Sequence, residues 1–147
     1  MDAALQEAID RQAIVDRLSA YGWALDDREW RGVEACFASD AVADYGEALG
    51  RFEGPAAIAA LCRGVLEALD STQHVITNHE VMVSGDEARA RCHVVAQHTR
   101  ASAAGGSNYT LGGTYDTHLV RGAGGWLIQT LALRVRWQDG NPAVVEA

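Results

Sequence analysis

There is no lysine in this chain. All twelve cationic side chains are arginine, and they are scattered rather than clustered. Set against twenty Asp and Glu, they leave a formal net charge of −8. Nucleic acid is therefore an unfavourable partner, because phosphate binding draws its affinity from grouped Lys and Arg that release counterions. No uncharged apolar run approaches the length needed to cross a bilayer, so no membrane partner is expected. The N-terminus carries no basic segment ahead of an apolar one, which gives no sign of export and makes the cytoplasm the expected compartment. Cysteine is scarce too. Cys36, Cys62 and Cys92 are widely spaced in apolar segments with no C-x-x-C, so buried free thiols are expected. The chain also lacks G-x-S-x-G, H-x-x-x-H on a helix, and a glycine-rich phosphate loop between a strand and a helix. Nothing in it calls for a nucleotide, a metal or any other cofactor.

What is present has the length and hydrophobic fraction of one globular domain, 1–147. Apolar residues from about Leu5 to Asp27 recur at three- to five-residue intervals (Ile9, Ala13, Leu18, Tyr21, Leu25), which predicts a first helix with Arg11, Asp16 and Arg17 on its wet face. Trp30, Val33 and Phe37 predict a second, short helix closed by Ser39-Asp40. Between Ala41 and Phe52, glycines punctuate short apolar pieces, the pattern of two short strands and a turn. Gly54-Pro55 opens a third helix running to about Leu69, since proline suits a first helical turn. Beyond Asp70 the period shifts to two. Candidate strands are Thr72–Ser84, Glu87–Arg100, Ser107–Arg121 and Gly125–Asp139, separated by turn-forming Gly85-Asp86, Ala103–Gly106 and Gly122–Gly125.

Helices followed by long antiparallel strands predict an α+β fold rather than alternating β-α-β. A sheet with strands this long twists strongly, curls over the helices and leaves a cavity between the layers.

Several residues are candidates for chemistry in that cavity. Asp26 and Asp27 end the first helix, where an acidic side chain opposes the helix dipole by a few tenths of a kcal/mol. Either the pair meets Arg28 or Arg31 at the surface, or one of the two turns inward; Asp26 lies nearer the apolar stripe. His74 shares a strand face with Ile76, Asn78 and Glu80 by alternation, and the pattern leaves open which face looks inward. His98 ends a small apolar row, Cys92, Val94 and Ala96, which points it inward. Tyr45 is either a packed aromatic or a phenol offered to the pocket. Arg134 and Arg136 are expected to be solvated or paired across strands.

Five stretches carry a family resemblance. They are Arg11-Gln-Ala-Ile-Val-Asp-Arg-Leu-Ser-Ala-Tyr21 continuing to Ala24-Leu-Asp26, Phe37-Ala-Ser-Asp-Ala-Val-Ala-Asp-Tyr-Gly46, Phe52-Glu-Gly-Pro55, Thr72-Gln-His-Val-Ile-Thr-Asn78, and Gly125-Trp-Leu-Ile128. Together they resemble the SnoaL-like branch of the NTF2-like superfamily over nearly the whole chain. The resemblance implies a cone: a strongly curved mixed or antiparallel sheet wrapped around three N-terminal helices and enclosing an apolar pocket. Its scytalone dehydratase and hexachlorocyclohexane dehydrochlorinase branches pair an Asp at the end of the first helix with a His on the first long strand. Asp26 and His74 match those places, and His98 and Tyr45 match a second histidine and a tyrosine of the dehydratase branch. Tyr21, Leu25 and Tyr115 are the implied substrate-contacting residues. The dehydrochlorinase branch also has an arginine on its last strand, with which neither Arg134 nor Arg136 aligns.

The expected activity is that of a cofactor-independent lyase or isomerase, dehydratase-type, acting on a small hydrophobic cyclic, polyketide-like or steroid-like substrate. His74 would be the general base, Asp26 would fix its tautomer, and His98 or Tyr45 would polarise a carbonyl or assist a departing hydroxyl. The alternatives are a non-catalytic small-molecule-binding protein and an assembly module. The resemblance also implies a homodimer or homotrimer, through the sheet's outer face.

Overall fold

The computed structural model describes residues 1–146. Three helices come first, interrupted by two short strands: α1 (Ala3–Asp26), α2 (Trp30–Ala35), β1 (Phe37–Asp44), β2 (Arg51–Glu53) and α3 (Pro55–Leu66). Four long strands follow, β3 (Ser71–Ser84), β4 (Glu87–Thr99), β5 (Asn108–Gly122) and β6 (Gly125–Gly140), and a 3-10 turn, Pro142–Val144, closes the chain. They build one six-stranded sheet in the order β2-β1-β6-β5-β4-β3. Only the β1–β6 pairing is parallel, so the sheet is mixed and open. This is the expected α+β, NTF2-like architecture.

The core is the apolar stripe of α1 (Ile14, Leu18, Tyr21, Leu25) closed against inward residues of the sheet such as Cys92, Val94, Leu119, Ile128 and Leu131. α1 starts on Asp2, whose carboxylate accepts the Ala4 N–H, relieving one orphan donor of the first turn. All three cysteines are buried free thiols. Among the described residues no helix is long and apolar enough to cross a membrane.

Two elements differ from the sequence expectation. α2 stops at Ala35, and Phe37 opens β1 instead of closing the helix. Ser39 and Asp40 are exposed residues within that strand rather than a stop signal. α3 ends at Leu66, three residues short of Leu69, although Leu69 is still buried and donates its N–H to the Leu66 carbonyl.

Bulges aim the side chains that matter. On β3 the register slips between Thr77 and Glu80, with Asn78 at φ 58°. Upstream of the slip Thr72, His74 and Ile76 turn inward; downstream His79, Val81 and Val83 do, so Asn78 and Glu80 leave the face they would share with His74 under strict alternation. His79 is brought inward with its Nε2 buried and unpartnered among the described residues. On β6 a second slip places Val135 opposite Gly113 and Trp137 opposite Gly112, leaving Arg136 unpaired and reversing the facing of every residue after it.

Candidate active site

The last residue of α1 is held to the start of β3 by three groups. His74 Nδ1 lies 2.7 Å from Asp26 Oδ1, the His74 main-chain N–H donates to both carboxylate oxygens at 3.1 and 3.0 Å, and Thr72 Oγ1 donates to Oδ1 at 3.3 Å. The dipole-opposed position of Asp26 thus has its reason: donors from β3 offset the unfavourable helix end. Close approach of α1 to β3 depends on Gly22. A Cβ there would stand 2.8 Å from Ile76 Cδ1 and 3.9 Å from His74 Cβ.

His74 is nearly enclosed, with its side chain 6% exposed, and lines a cavity of about 370 Å³ between sheet and helices. With Nδ1 committed to Asp26, Nε2 is the ring nitrogen left to the cavity. Asp26 lies behind His74 and faces a second, open groove of about 600 Å³ between α1 and β3, beside Trp23 and Asp27. Asp27 does not reach the cavity.

His98, on the neighbouring strand, is buried, and its ring stands 6.1 Å from that of His74, nearly perpendicular. Its Nδ1 is 3.0 Å from the Tyr109 carbonyl oxygen. A carbonyl only accepts, so Nδ1 carries the proton and Nε2 carries a lone pair. Burial pulls the His98 pKa below its ordinary value and keeps the ring neutral.

At another part of the wall three polar atoms meet. The Tyr21 and Tyr45 hydroxyls are 2.7 Å apart, and Cys62 Sγ lies 3.5 Å from the Tyr45 oxygen and 4.0 Å from that of Tyr21. Tyr115 packs edge-on against Tyr21 at 5.7 Å. Burial raises all three phenols above their usual pKa, so they are protonated hydrogen-bond donors. Leu25, Leu61, Val65 and Leu133 supply apolar surface between these groups.

The structure therefore gathers His74, His98, Tyr45, Tyr21, Leu25 and Tyr115 around one cavity, with Asp26 directly behind His74. Arg134 lies outside it, paired with Asp116 across the strands at 2.6 Å. Tyr109 and Gln138, which also line the cavity and share a 2.8 Å hydrogen bond, escaped the sequence reading. The Gly112-Gly113 pair opposite the β6 bulge was the one signal that could have pointed to Gln138. Among the described residues no cluster of three or more His, Cys, Asp or Glu is placed to share a metal ion.

A family model described as a SnoaL-like domain matches residues 6–132. The chain belongs to the SnoaL-like family. The matched span runs from α1 into β6 and includes every cavity residue named above except Leu133 and Gln138. The sequence finds no match among curated proteins. Among solved structures, the SnoaL-like chain is similar to the Kfla4162 protein from Kribbella flavida, with a TM-score of 0.88 and 25% identity over 96% of this chain and 99% of that one. A protein from Novosphingobium aromaticivorans, provisionally named an aromatic ring hydroxylase, is 28% identical with a TM-score of 0.83, over 91% and 94% of the two chains. A second protein of that organism, provisionally named a scytalone dehydratase, is 24% identical with a TM-score of 0.83, over 92% and 89%, and at that identity shows the fold alone.

Proposed function

We propose that the protein is a cofactor-independent dehydratase or isomerase of a small cyclic substrate, with His74 as general base oriented by Asp26. The observation that carries this reading is the 2.7 Å contact between Asp26 Oδ1 and His74 Nδ1, which leaves Nε2 free at the cavity. A carboxylate on one ring nitrogen selects the tautomer with a lone pair on the other and stabilises the imidazolium formed when that lone pair takes a proton. An oriented base of this type contributes ~10²–10⁴ in rate.

The other polar groups divide the remaining work. The Tyr21–Tyr45 pair has one O–H beyond the one spent between the two phenols, and that proton can be donated to a carbonyl or enolate oxygen. The sequence reading allowed His98 to act as an acid. With its only N–H given to the Tyr109 carbonyl, His98 is instead an acceptor, suited to holding a substrate hydroxyl by its proton. In a dehydration, His74 takes a proton from the carbon next to the carbonyl, the electron pair forms the C=C bond as the C–O bond breaks, and the imidazolium returns its proton to the departing oxygen, giving water. In an isomerisation the same proton returns to another carbon. The Novosphingobium protein at 28% identity is named for action on an aromatic ring, which makes flat cyclic compounds the first class to try.

The test is solvent deuterium wash-in, or loss of water, with a panel of cyclic hydroxyketones. His74→Ala and Asp26→Asn should each cut the rate by two orders of magnitude or more while the variants stay folded. Full activity in either variant would overturn the assignment. The apolar surface of Leu25, Leu61, Val65, Leu66, Leu111 and Leu133 favours a second reading, a pocket that binds without turnover. Saturable binding with no wash-in would select it.

A further inference from the structure

The cavity has a polar end that neither the base nor the tyrosine pair uses. β6 brings Gln138 there only because of the bulge at Arg136; in unbroken alternation with Leu133 and Val135, Trp137 would take the inward place. Bulges that re-aim a side chain are frequent beside functional sites. The Gln138 amide is also oriented: Tyr109 donates its hydroxyl proton to Oε1 at 2.8 Å, so Nε2 presents two N–H groups, with no hydrogen-bond partner among the described residues.

Glu146 lines the same cavity from just beyond the turn that follows β6. Its segment is fastened at several points. Arg100 donates to the carbonyls of Val144, Ala143 and Glu146, and the Asn141 amide donates to those of Ala104 and Gly106. The Arg100 guanidinium thus bonds to main chain, and no arginine among the described residues lines the cavity.

We propose that Gln138 and Glu146 form a second subsite that recognises a hydroxyl group on the end of a neutral ligand remote from its reacting carbon. A hydroxyl accepts from the Gln138 amide through its oxygen and donates its proton to the Glu146 carboxylate. A carbonyl satisfies the first group and repels the second. An ammonium pairs with Glu146 but opposes the amide donors. A carboxylate meets Glu146 with no cationic side chain among the described residues that line the cavity to pair with it. Tyr109 links the subsite to the reacting centre: its hydroxyl holds Gln138, its ring lies 5.6 Å from that of His98, and its carbonyl holds His98 Nδ1. The ligand class that follows is a neutral ring compound oxygenated at both ends. This rests on the cavity being the reaction site.

The experiment is calorimetric binding of three probes: biphenyl with a para hydroxyl on each ring, biphenyl with one hydroxyl, and biphenyl with a hydroxyl on one ring and a carboxylate on the other. The native protein should bind the diol about 10-fold more tightly than the mono-ol, the value of one good polar contact of about 1.4 kcal/mol, and the carboxylate most weakly. Gln138→Leu and Glu146→Gln, both at exposed positions, should each bring the diol and mono-ol within about 2-fold, and Glu146→Gln should recover most of the carboxylate's affinity. Equal native affinity for diol and mono-ol, undetectable binding of the diol, or discrimination unchanged in both variants would overturn the subsite. His74→Ala separates the two proposals. It should keep the diol preference while losing turnover, so the base assignment can fail without the subsite, and the subsite without the base.

Discussion

The Asp10 carboxylate and the Arg121 guanidinium meet through two parallel hydrogen bonds, 2.8 and 2.9 Å long, near the end of α1 opposite to Asp26. Trp126 Nε1 donates to the same carboxylate, and the guanidinium lies 4.6 Å from the Trp126 ring centre. Arg121 continues to Asp86 and the Gly85 carbonyl, so one cluster ties the first helix to the β3–β4 turn and the far end of β5.

A first prediction follows for acid stability. The hydrogen bond from Arg121 is the main reason that the Asp10 pKa falls from 3.8 to about 2, with Trp126 and Gln6 assisting against the cost of burial. A depressed carboxylate pKa means that the unfolded chain binds the proton more readily. The contribution of Asp10 is therefore complete above pH 3.8 and is lost as pH falls through about 2. Asp10→Ala should lower Tm at neutral pH by something of the order of 10 °C, since it strands the rest of a partly buried network. The gap between variant and native protein, followed by thermal melts, should narrow steadily below pH 4. A constant gap down to pH 2 would contradict the account.

The second prediction concerns the tautomer of His98. With Nδ1–H given to the Tyr109 carbonyl and the ring buried, nitrogen NMR at neutral pH should find Nδ1 protonated and Nε2 bare. Its titration should lie below the ordinary histidine value of 6.5. The sign for stability follows: the unfolded chain takes up this proton first, so folding is weakened as pH drops below 6.5 and is unaffected above it. A protonated Nε2 at neutral pH would remove the acceptor role assigned to His98.

A third prediction uses the one proton that the paired phenols leave for a ligand. Tyr21→Phe and Tyr45→Phe should each lower kcat by roughly 10²-fold, with a smaller change in KM, the scale of losing one donor to a developing oxyanion. Because the hydroxyls sit 2.7 Å apart and act as one donor, the double variant should be scarcely worse than either single one. Two independent, multiplying losses in steady-state kinetics would show the phenols acting separately.

The fourth prediction tests the contact between β5 and β6. A Cβ on Gly113 would stand 2.1 Å from the Arg134 carbonyl oxygen, a main-chain atom that cannot step aside. Gly113→Ala should cost about 1–3 kcal/mol in chemical denaturation through overpacking. Gly64→Ala, in α3 with nothing within 4 Å of the added carbon, should be neutral or stabilising by up to about 1 kcal/mol. Equal outcomes for the two would sink the steric argument.

The long elements were legible because period and punctuation agreed: α1 has its 3.6-residue stripe, and β4 alternates without interruption from Glu87 to His98. Phe37 was misplaced because it satisfies both a helical spacing from Val33 and the first inward position of β1, and neither glycine nor proline marks the junction. The facing of His74 could not be read because alternation breaks at Asn78, whose positive φ only the backbone reveals, although Asn is among the residues that tolerate it. Asp26 was visible as a helix end with an unexplained charge, and the family resemblance, rather than local pattern, joined it to His74. Asp10–Arg121 and Tyr109–Gln138 were illegible for a simpler reason: they are long-range contacts, 111 and 29 residues apart, whose meeting depends on the sheet's register.

The fastening of His74 has a further consequence. Everything that holds the imidazole belongs to α1 and the start of β3, whereas much of the ligand-facing surface comes from α3, the end of β6 and the closing turn. The proposed base is thus positioned by one stretch of chain, while much of the cavity wall comes from others. Under the proposed mechanism, substitutions at the cavity-facing Leu61 and Val65 of α3, or at Val135 and Gln138 of β6, should change which molecule binds while leaving the Asp26–His74 contact in place.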